Sequence, residues 1–411
     1  MPPIFRRMKP FQMTKSCIIA FILLINGGIN KIKAEGKDTL NTKKNLVYSV
    51  FYESGSVQSS NRFLKQLNAT DEDLGEFTAL SFQIQKQSTG KKLWEQYYNY
   101  PKYGIGLYAA RFFQKNNLST PIALYGSYEA PLKKWNKLSL NYNAGFGVTF
   151  NWESYNPAEN NQNISLGAFL TSYIDAGLSL SYEISPHFDF GVGYSFTHFS
   201  NGAMKIPNFG LNTLAPRFSL KYIINRFEPP KVKPVIPPYI QNTSLDLSVY
   251  GGEKNVIYPD QNIDSASVFN GLYYPIFGIN AILYRQINYK SRIGIGMTMS
   301  YDGTKNAVVD IVRGMPDPEQ SFRKKNITLS IYPSYELVFN KIALFAQPSF
   351  YILKHQTTYM RPLFYVRVGF KYQLSKNLYT GLALHSYNAH KADHIEWTFG
   401  YRIPLTKLSE K

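Results

Sequence analysis

His198 and Ser200 stand two residues apart at the end of an alternating segment that begins at His187, and Asn212 opens the segment that follows. A serine hydroxyl becomes a useful nucleophile when an imidazole can take its proton, and the imidazole works best when a third group fixes its tautomer. On a β-strand, residues two apart share a face. If Asn201 to Leu211 is roughly the loop of a hairpin centred near Lys205, His198 falls almost opposite Asn212, and directly paired Cβ atoms lie about 5 Å apart. The expected division of labour is attack by Ser200, proton transfer by His198 and orientation of the ring by Asn212. Asn201, the backbone of Gly202, or both, would donate to a tetrahedral oxyanion. Such a set acts on an acyl ester. The bland alternative is that a His-x-Ser tripeptide, common by chance, merely marks a polar interface.

The element that positions the pair favours the chemical reading. Phe188, Phe190, Val192, Tyr194 and Phe196 form one stripe that His198 and Ser200 extend, while Asp189, Gly191, Gly193, Ser195 and Thr197 fill the other face. A greasy stripe backed by small polar residues makes sense if the stripe faces lipid, where polar groups are costly and tend to be functional.

The same pattern recurs along the chain. Leu138 to Phe150 and Leu170 to Tyr182 alternate in this way, as do the stripes Ile293, Ile295, Met297, Met299, Tyr301 and Val366, Val368, Phe370, Tyr372. The chain has 411 residues with 16% aromatics, yet its mean hydropathy is only −0.26. After the amino terminus no apolar run approaches the roughly 20 residues a spanning helix needs, so the remaining route across a membrane is a closed barrel. A soluble β-sandwich also alternates, but its polar face would be wet and commonly charged. Here that face is Gly, Ser, Thr and Asn, as a crowded lumen requires.

The expected fold is therefore all-β, a transmembrane antiparallel β-barrel. Residues 227–241 form a proline-rich linker, with roughly eight candidate strands on either side. Two tandem eight-stranded barrels, 35–226 and 242–411, are favoured over one barrel of about sixteen strands, because turns within a barrel are usually short and this connection is long and stiff. Both halves also place opposite charges on the inward face: Asp175, Asp189, Arg217 and Lys221 in the first, Arg367, Lys371, Glu396 and Arg402 in the second. A narrow barrel filled by its own ion pairs would look like that.

Residues 1–34 read as an export signal, with Arg6, Arg7, Lys9 and Lys15 ahead of the apolar run Cys17–Ile25. Cys17 is the only cysteine, so the mature chain would lack disulfides, cysteine nucleophiles and cysteine metal sites. The formal charge of +18 implies attraction to polyanions. No nucleic-acid motif is recognisable, and the phosphorylated surface of lipopolysaccharide is the more natural partner for an exported, strand-rich chain.

The stretch from His198 to Asn212, with Ser200-Asn201 near its start and Asn208-Phe209-Gly210 near its end, resembles the active-site hairpin of the outer-membrane lipid A 3-O-deacylases of the PagL type. The resemblance covers about residues 45–225. It implies an eight-stranded barrel in the outer membrane of a Gram-negative bacterium and esterase action on the 3-position acyl chain of lipid A. It further implies His198 as base, Ser200 as nucleophile, Asn201 near the oxyanion, and no cofactor. One position departs from the family's pattern: Asn212 stands where the family has glutamate. An amide can orient a histidine but cannot offer imidazolium a full charge.

A second set lies near the carboxyl terminus, where His385, Ser386 and Glu396 recur in a similar hairpin. Phase separates them, since the stripe through Leu382 and Leu384 turns Ser386 outward and His385 inward, and Glu396 faces the lumen. His385, His390 and His394 have no metal-specific spacing, and no metal is assigned. Two other function classes stay open from the sequence: a noncatalytic barrel that binds lipopolysaccharide, and a porin-like channel, which requires the single wide barrel.

Overall fold

The computed structural model describes residues 45–58, 60–65, 74–112, 118–156, 159–230, 234–256, 272–306, 309–310, 315–316, 326–354, 363–387 and 391–405. The proposed export signal lies outside them. Strands β1 (Leu46–Gln58), β2 (Glu76–Gln87), β3 (Lys102–Phe112), β4 (Ile122–Trp135), β5 (Leu138–Phe150), β6 (Thr171–Glu183), β7 (Phe188–Ser200) and β8 (Leu211–Ile223) pair in chain order, and β8 returns to β1 to close a barrel. A second closed barrel is built from β9 (Asn242–Val256), β10 (Leu272–Gln286), β11 (Ser291–Asp302), β12 (Ile327–Phe339), β13 (Ile342–Lys354), β14 (Phe364–Gln373), β15 (Leu378–Tyr387) and β16 (Lys391–Pro404), closed by β16 against β9. A two-residue ladder between Val309–Asp310 and Met315–Pro316 decorates the connection after β11. The fold is all-β with two tandem eight-stranded barrels, and the single wide barrel is excluded.

Alternation explains both walls. Along β7 the aromatic and aliphatic stripe from Phe188 to Phe196 is exposed, whereas Asp189, Ser195 and Thr197 are buried in the lumen. Exposed apolar rows of this kind repeat around both barrels, including Leu80 and Phe82 on β2, Ile105 and Leu107 on β3, and Ile293 to Met299 on β11. In water such a surface would be a severe aggregation liability; in a bilayer it is the side that costs nothing to expose. Among the described residues, no helix is long and apolar enough to cross a membrane.

Each lumen is filled rather than open. In the first barrel, Arg217 donates from Nε to Glu53 at 2.7 Å and from both terminal nitrogens to Asp175 at 3.1 and 2.6 Å. Lower down, Lys221 reaches both oxygens of Glu129, which also receives Lys102 at 3.0 Å. Asp189 is bound by Arg226. In the second barrel, Arg367 pairs with Glu396, while Lys371 and Arg402 converge on Asp246 and Glu336. Each carboxylate is thus paired where an isolated buried charge would cost several kcal/mol.

Toward the end of the first barrel that carries the long loops, charge gives way to an apolar plug. Phe199 is fully buried and packs against Trp152 at 5.0 Å, Tyr173 at 5.8 Å and Tyr108 at 6.0 Å between ring centroids. Phe63, Leu64, Phe77, Phe112, Leu166 and Leu211 belong to the same cluster. This plug fixes the end of β7, and its alternation has a direct consequence. With Phe199 locked inward, His198 and Ser200 must both point outward.

Candidate active site

The site is assembled where β7 ends and β8 begins. The register sets His198 opposite Asn212 and Phe199 opposite Leu211, and on the other side of β7 it sets His198 opposite Ile174 and Ser200 opposite Ser172. His198 Nδ1 lies 2.6 Å from Asn212 Oδ1. A carbonyl oxygen can only accept, so Nδ1 carries the proton and Nε2 is left with its lone pair free. The amide therefore selects the tautomer that a general base requires.

Ser200 is outward in phase yet only 7% exposed, because the loop 201–210 folds over it. Its Oγ accepts from Asn208 Nδ2 at 2.8 Å and from the backbone of Gly202 at 3.1 Å, while Ser172 Oγ donates to the Ser200 carbonyl at 2.6 Å. Among the described residues His198 is not one of the partners of Ser200 Oγ, so the hydrogen bond that would pass the serine proton to Nε2 has yet to form.

Asn208 is the functional candidate that sequence reasoning left without a role. Its Nδ2 holds Ser200 while its Oδ1 accepts from the backbone of Asn201 at 3.1 Å. Asn201 Nδ2 in turn donates to the Lys205 carbonyl at 2.7 Å, and Asn201 Oδ1 is buried without a hydrogen-bond partner. Both donors of Asn201 thus serve the loop, and of the two residues expected at the oxyanion only Gly202 aims an N–H at Ser200. The return of the loop is pinned to the β5–β6 connection by backbone bonds from Phe209 to Ile164 and from Gly210 to Ser165. Gly210 has φ +75°, and a Cβ there would lie 2.9 Å from His198 Cε1. Only glycine leaves that edge of the imidazole clear.

No ion pair involves His198 among the described residues. The nearby carboxylates face the lumen instead: Asp175 accepts from Thr197 at 3.2 Å and is clamped by Arg217. Asn212 is therefore the polar group that orients the ring, and no carboxylate substitutes for it.

In the second barrel a register shift falls between His385 and Ser386, and Ser386 is buried as His385 is. His385 and Glu396 are buried inside, Glu396 held by Arg367. His385 stacks between Tyr365, at 4.2 Å, and His394, at 4.6 Å, and His394 Nδ1 lies 2.9 Å from Asp393 Oδ2. One ligand atom each from His385, Asp393 and His394 falls within 4.8 Å of the others. Asp393 already carries the Lys254 ammonium, so a cation is built into the cluster by the chain itself. His390 lies outside the described residues.

Closed barrels with an apolar outer belt and polar, packed lumens define a membrane-embedded β-barrel protein. Residues 79–221 match the family model described as lipid A 3-O-deacylase (PagL), and residues 243–405 match that of the acyloxyacyl hydrolase C-terminal domain. Each barrel thus matches a PagL-type family model. Among solved structures, it is similar to the crystal structure of the outer membrane enzyme PagL, at 13% identity and a TM-score of 0.28 over 42% of this chain and 97% of that one. It also matches the CymD monoaromatic hydrocarbon channel, at 12% identity and 0.20 over 88% and 89%. The Pseudomonas putida toluene transporter TodX matches at 10% identity and 0.19 over 88% of each chain. No curated protein matches the chain.

Proposed function

We propose that the chain is an outer-membrane ester hydrolase that removes a 3-O-linked acyl chain from lipid A at the lipid-facing rim of its first barrel. Residues 1–34 would direct its export, and the partner would be lipid A within lipopolysaccharide. The reading is supported by the His198–Asn212 pair, with Ser200 in the same strand phase, at the end of an exposed apolar stripe in a barrel that matches the lipid A 3-O-deacylase family model.

In this mechanism Ser200 Oγ attacks the ester carbonyl as its proton passes to His198 Nε2, and Asn212 holds the ring through Nδ1–H. The tetrahedral oxyanion forms two bonds from Oγ, on the former carbonyl oxygen, and the Gly202 and Asn208 donors that meet Oγ in the resting site would turn to it. Collapse expels the sugar hydroxyl, protonated by His198, and leaves an acyl group on Ser200. Water, deprotonated by His198, then releases the fatty acid and restores the serine. No step calls for a cofactor.

The test is incubation of the purified full-length protein with lipid A and mass spectrometry of the products. Loss of one 3-hydroxyacyl chain by the native protein, with none by Ser200→Ala, is the expected result; unchanged lipid A would refute it. A noncatalytic lipopolysaccharide-binding barrel is the second reading, favoured by the amide at 212 and by the bonding of Ser200 to Asn208 rather than to His198. It expects lipid A binding without product.

A further inference from the structure

The two barrels touch along a seam that runs from one end of the strands to the other. At the short-turn end, Tyr98 stacks on Phe339 at 4.6 Å and donates from its hydroxyl to the Val338 carbonyl at 2.8 Å, and Tyr128 meets Phe339 edge-on at 5.6 Å. At mid-height, Phe146 on β5 meets Phe370 on β14 at 5.5 Å. At the long-loop end, the contact falls on the candidate site. A Cβ built on Gly202 would lie 2.5 Å from Ile395 Cδ1, 2.7 Å from Ile395 Cγ1 and 3.6 Å from Leu384 Cδ1.

Leu384 and Ile395 are register partners on β15 and β16. Their inward-facing neighbours His385, His394 and Glu396 are buried in the second lumen, so the pair forms an apolar knob on that barrel's outer wall. The knob presses on the residue whose N–H points at Ser200 Oγ. Gly202 has φ +64°, and Ala203 after it also has φ +64°, a conformation that a non-glycine residue holds only when its surroundings enforce it. Within the first barrel, the bonds to Ile164 and Ser165 secure the far side of the loop at Phe209 and Gly210. On the nucleophile's side, the apolar wall against Gly202 comes from the other half of the chain.

We infer that the second barrel is a positioning element for the first barrel's site, acting through Ile395 and, behind it, Leu384, which hold Gly202 where its N–H meets Ser200. The inference rests on the hydrolase reading above and assigns the carboxyl-terminal half a part in the same reaction. Ile395 touches the loop and not the ester, so its loss moves the donor without removing a reacting group.

The test compares the full chain with Ile395→Ala, Ile395→Leu and Phe370→Ala, the last cutting the seam at mid-height. Lipid A turnover, the rate at which a fluorophosphonate labels Ser200, and amide hydrogen exchange of residues 201–210 are followed in each. Misplacing a catalytic group by about 1 Å can cost up to a hundredfold, so Ile395→Ala is expected to lower kcat and Ser200 labelling about tenfold, with KM within about twofold. Exchange across the loop should quicken in the same variant. Ile395→Leu should recover most of the rate, and Phe370→Ala should leave rate and exchange near the native values. Native rates and exchange in Ile395→Ala would overturn the inference alone, and so would an equal loss in Phe370→Ala. A native chain that neither turns over lipid A nor labels at Ser200 would overturn the hydrolase reading and this inference with it.

Discussion

Replacing Asn212 by aspartate changes one atom of the site and none of its shape, which makes it the sharpest probe of how the imidazole is supported. In the native chain the Asn212 amide oxygen lies 2.6 Å from His198 Nδ1 and contributes a neutral hydrogen bond. When His198 takes the serine proton it becomes imidazolium, and a carboxylate at 212 would face it with a full charge. With the ring charge centred about 4 Å away, at an effective dielectric near 20, the attraction is about 4 kcal/mol. The carboxylate must also be desolvated at a partly buried position, which offsets a few kcal/mol. The net gain in transition-state stabilisation is then about 1–3 kcal/mol, or roughly ten- to a hundredfold in kcat. The assay is initial-rate release of the acyl chain from lipid A by Asn212→Asp beside the native chain, with matched thermal unfolding. A rate equal to or below the native one, in a variant of unchanged stability, would refute the view that proton transfer to His198 shapes the barrier.

Other outcomes follow from the same geometry. Gly210→Ala places a Cβ 2.9 Å from His198 Cε1 in a backbone of φ +75°, so it should cost about 1–2 kcal/mol in stability and, by turning the ring, about tenfold or more in kcat; a native-like rate would count against the assigned role of the ring. Asn208→Ala removes the bond to Ser200 and strands the Asn201 N–H, with an expected loss of about 1–3 kcal/mol that hydrogen exchange of the loop would read. Arg217→Met leaves Glu53 and Asp175 facing each other uncompensated and should destabilise the barrel by about 3–5 kcal/mol in denaturant unfolding, largely restored when Glu53→Gln and Asp175→Asn are added. In planar bilayers the native chain should show no steady conductance, because the first lumen is blocked by Tyr108, Tyr173 and the Arg217 cluster and the second by Tyr284, Tyr332 and Tyr379; a persistent open state would contradict the packed lumens.

Much of the fold was legible because a barrel wall writes its two faces into alternate residues. The stripe from Phe188 to Phe196 carries that phase into His198 and Ser200, and the length of the loop after Asn201 is enough to align His198 with Asn212. Arg217, Lys221, Arg367 and Lys371 were readable as lumenal from the same phase. Their partners Glu53 and Glu129 were not singled out, since Glu53 meets Arg217 only through the register in which β8 closes onto β1 and Glu129 meets Lys221 only across the lumen, and phase alone tells neither. Asn208 was visible in the Asn-Phe-Gly turn, but its reach back to Ser200 depends on loop backbone conformation that no periodicity encodes. The seam was hidden for a different reason. An outward apolar residue such as Ile395 or Phe146 has the same character whether it meets lipid or the wall of another barrel, so nothing in the alternation distinguishes the two.

Ser200 should carry the acyl group in transit, and quenching the purified protein during turnover of lipid A and weighing the peptide that contains Ser200 reads this out. That peptide should gain the mass of the released hydroxyacyl group in the native chain and stay unmodified in His198→Ala. Acyl chains released without any adduct on Ser200, or released equally by Ser200→Ala, would contradict it.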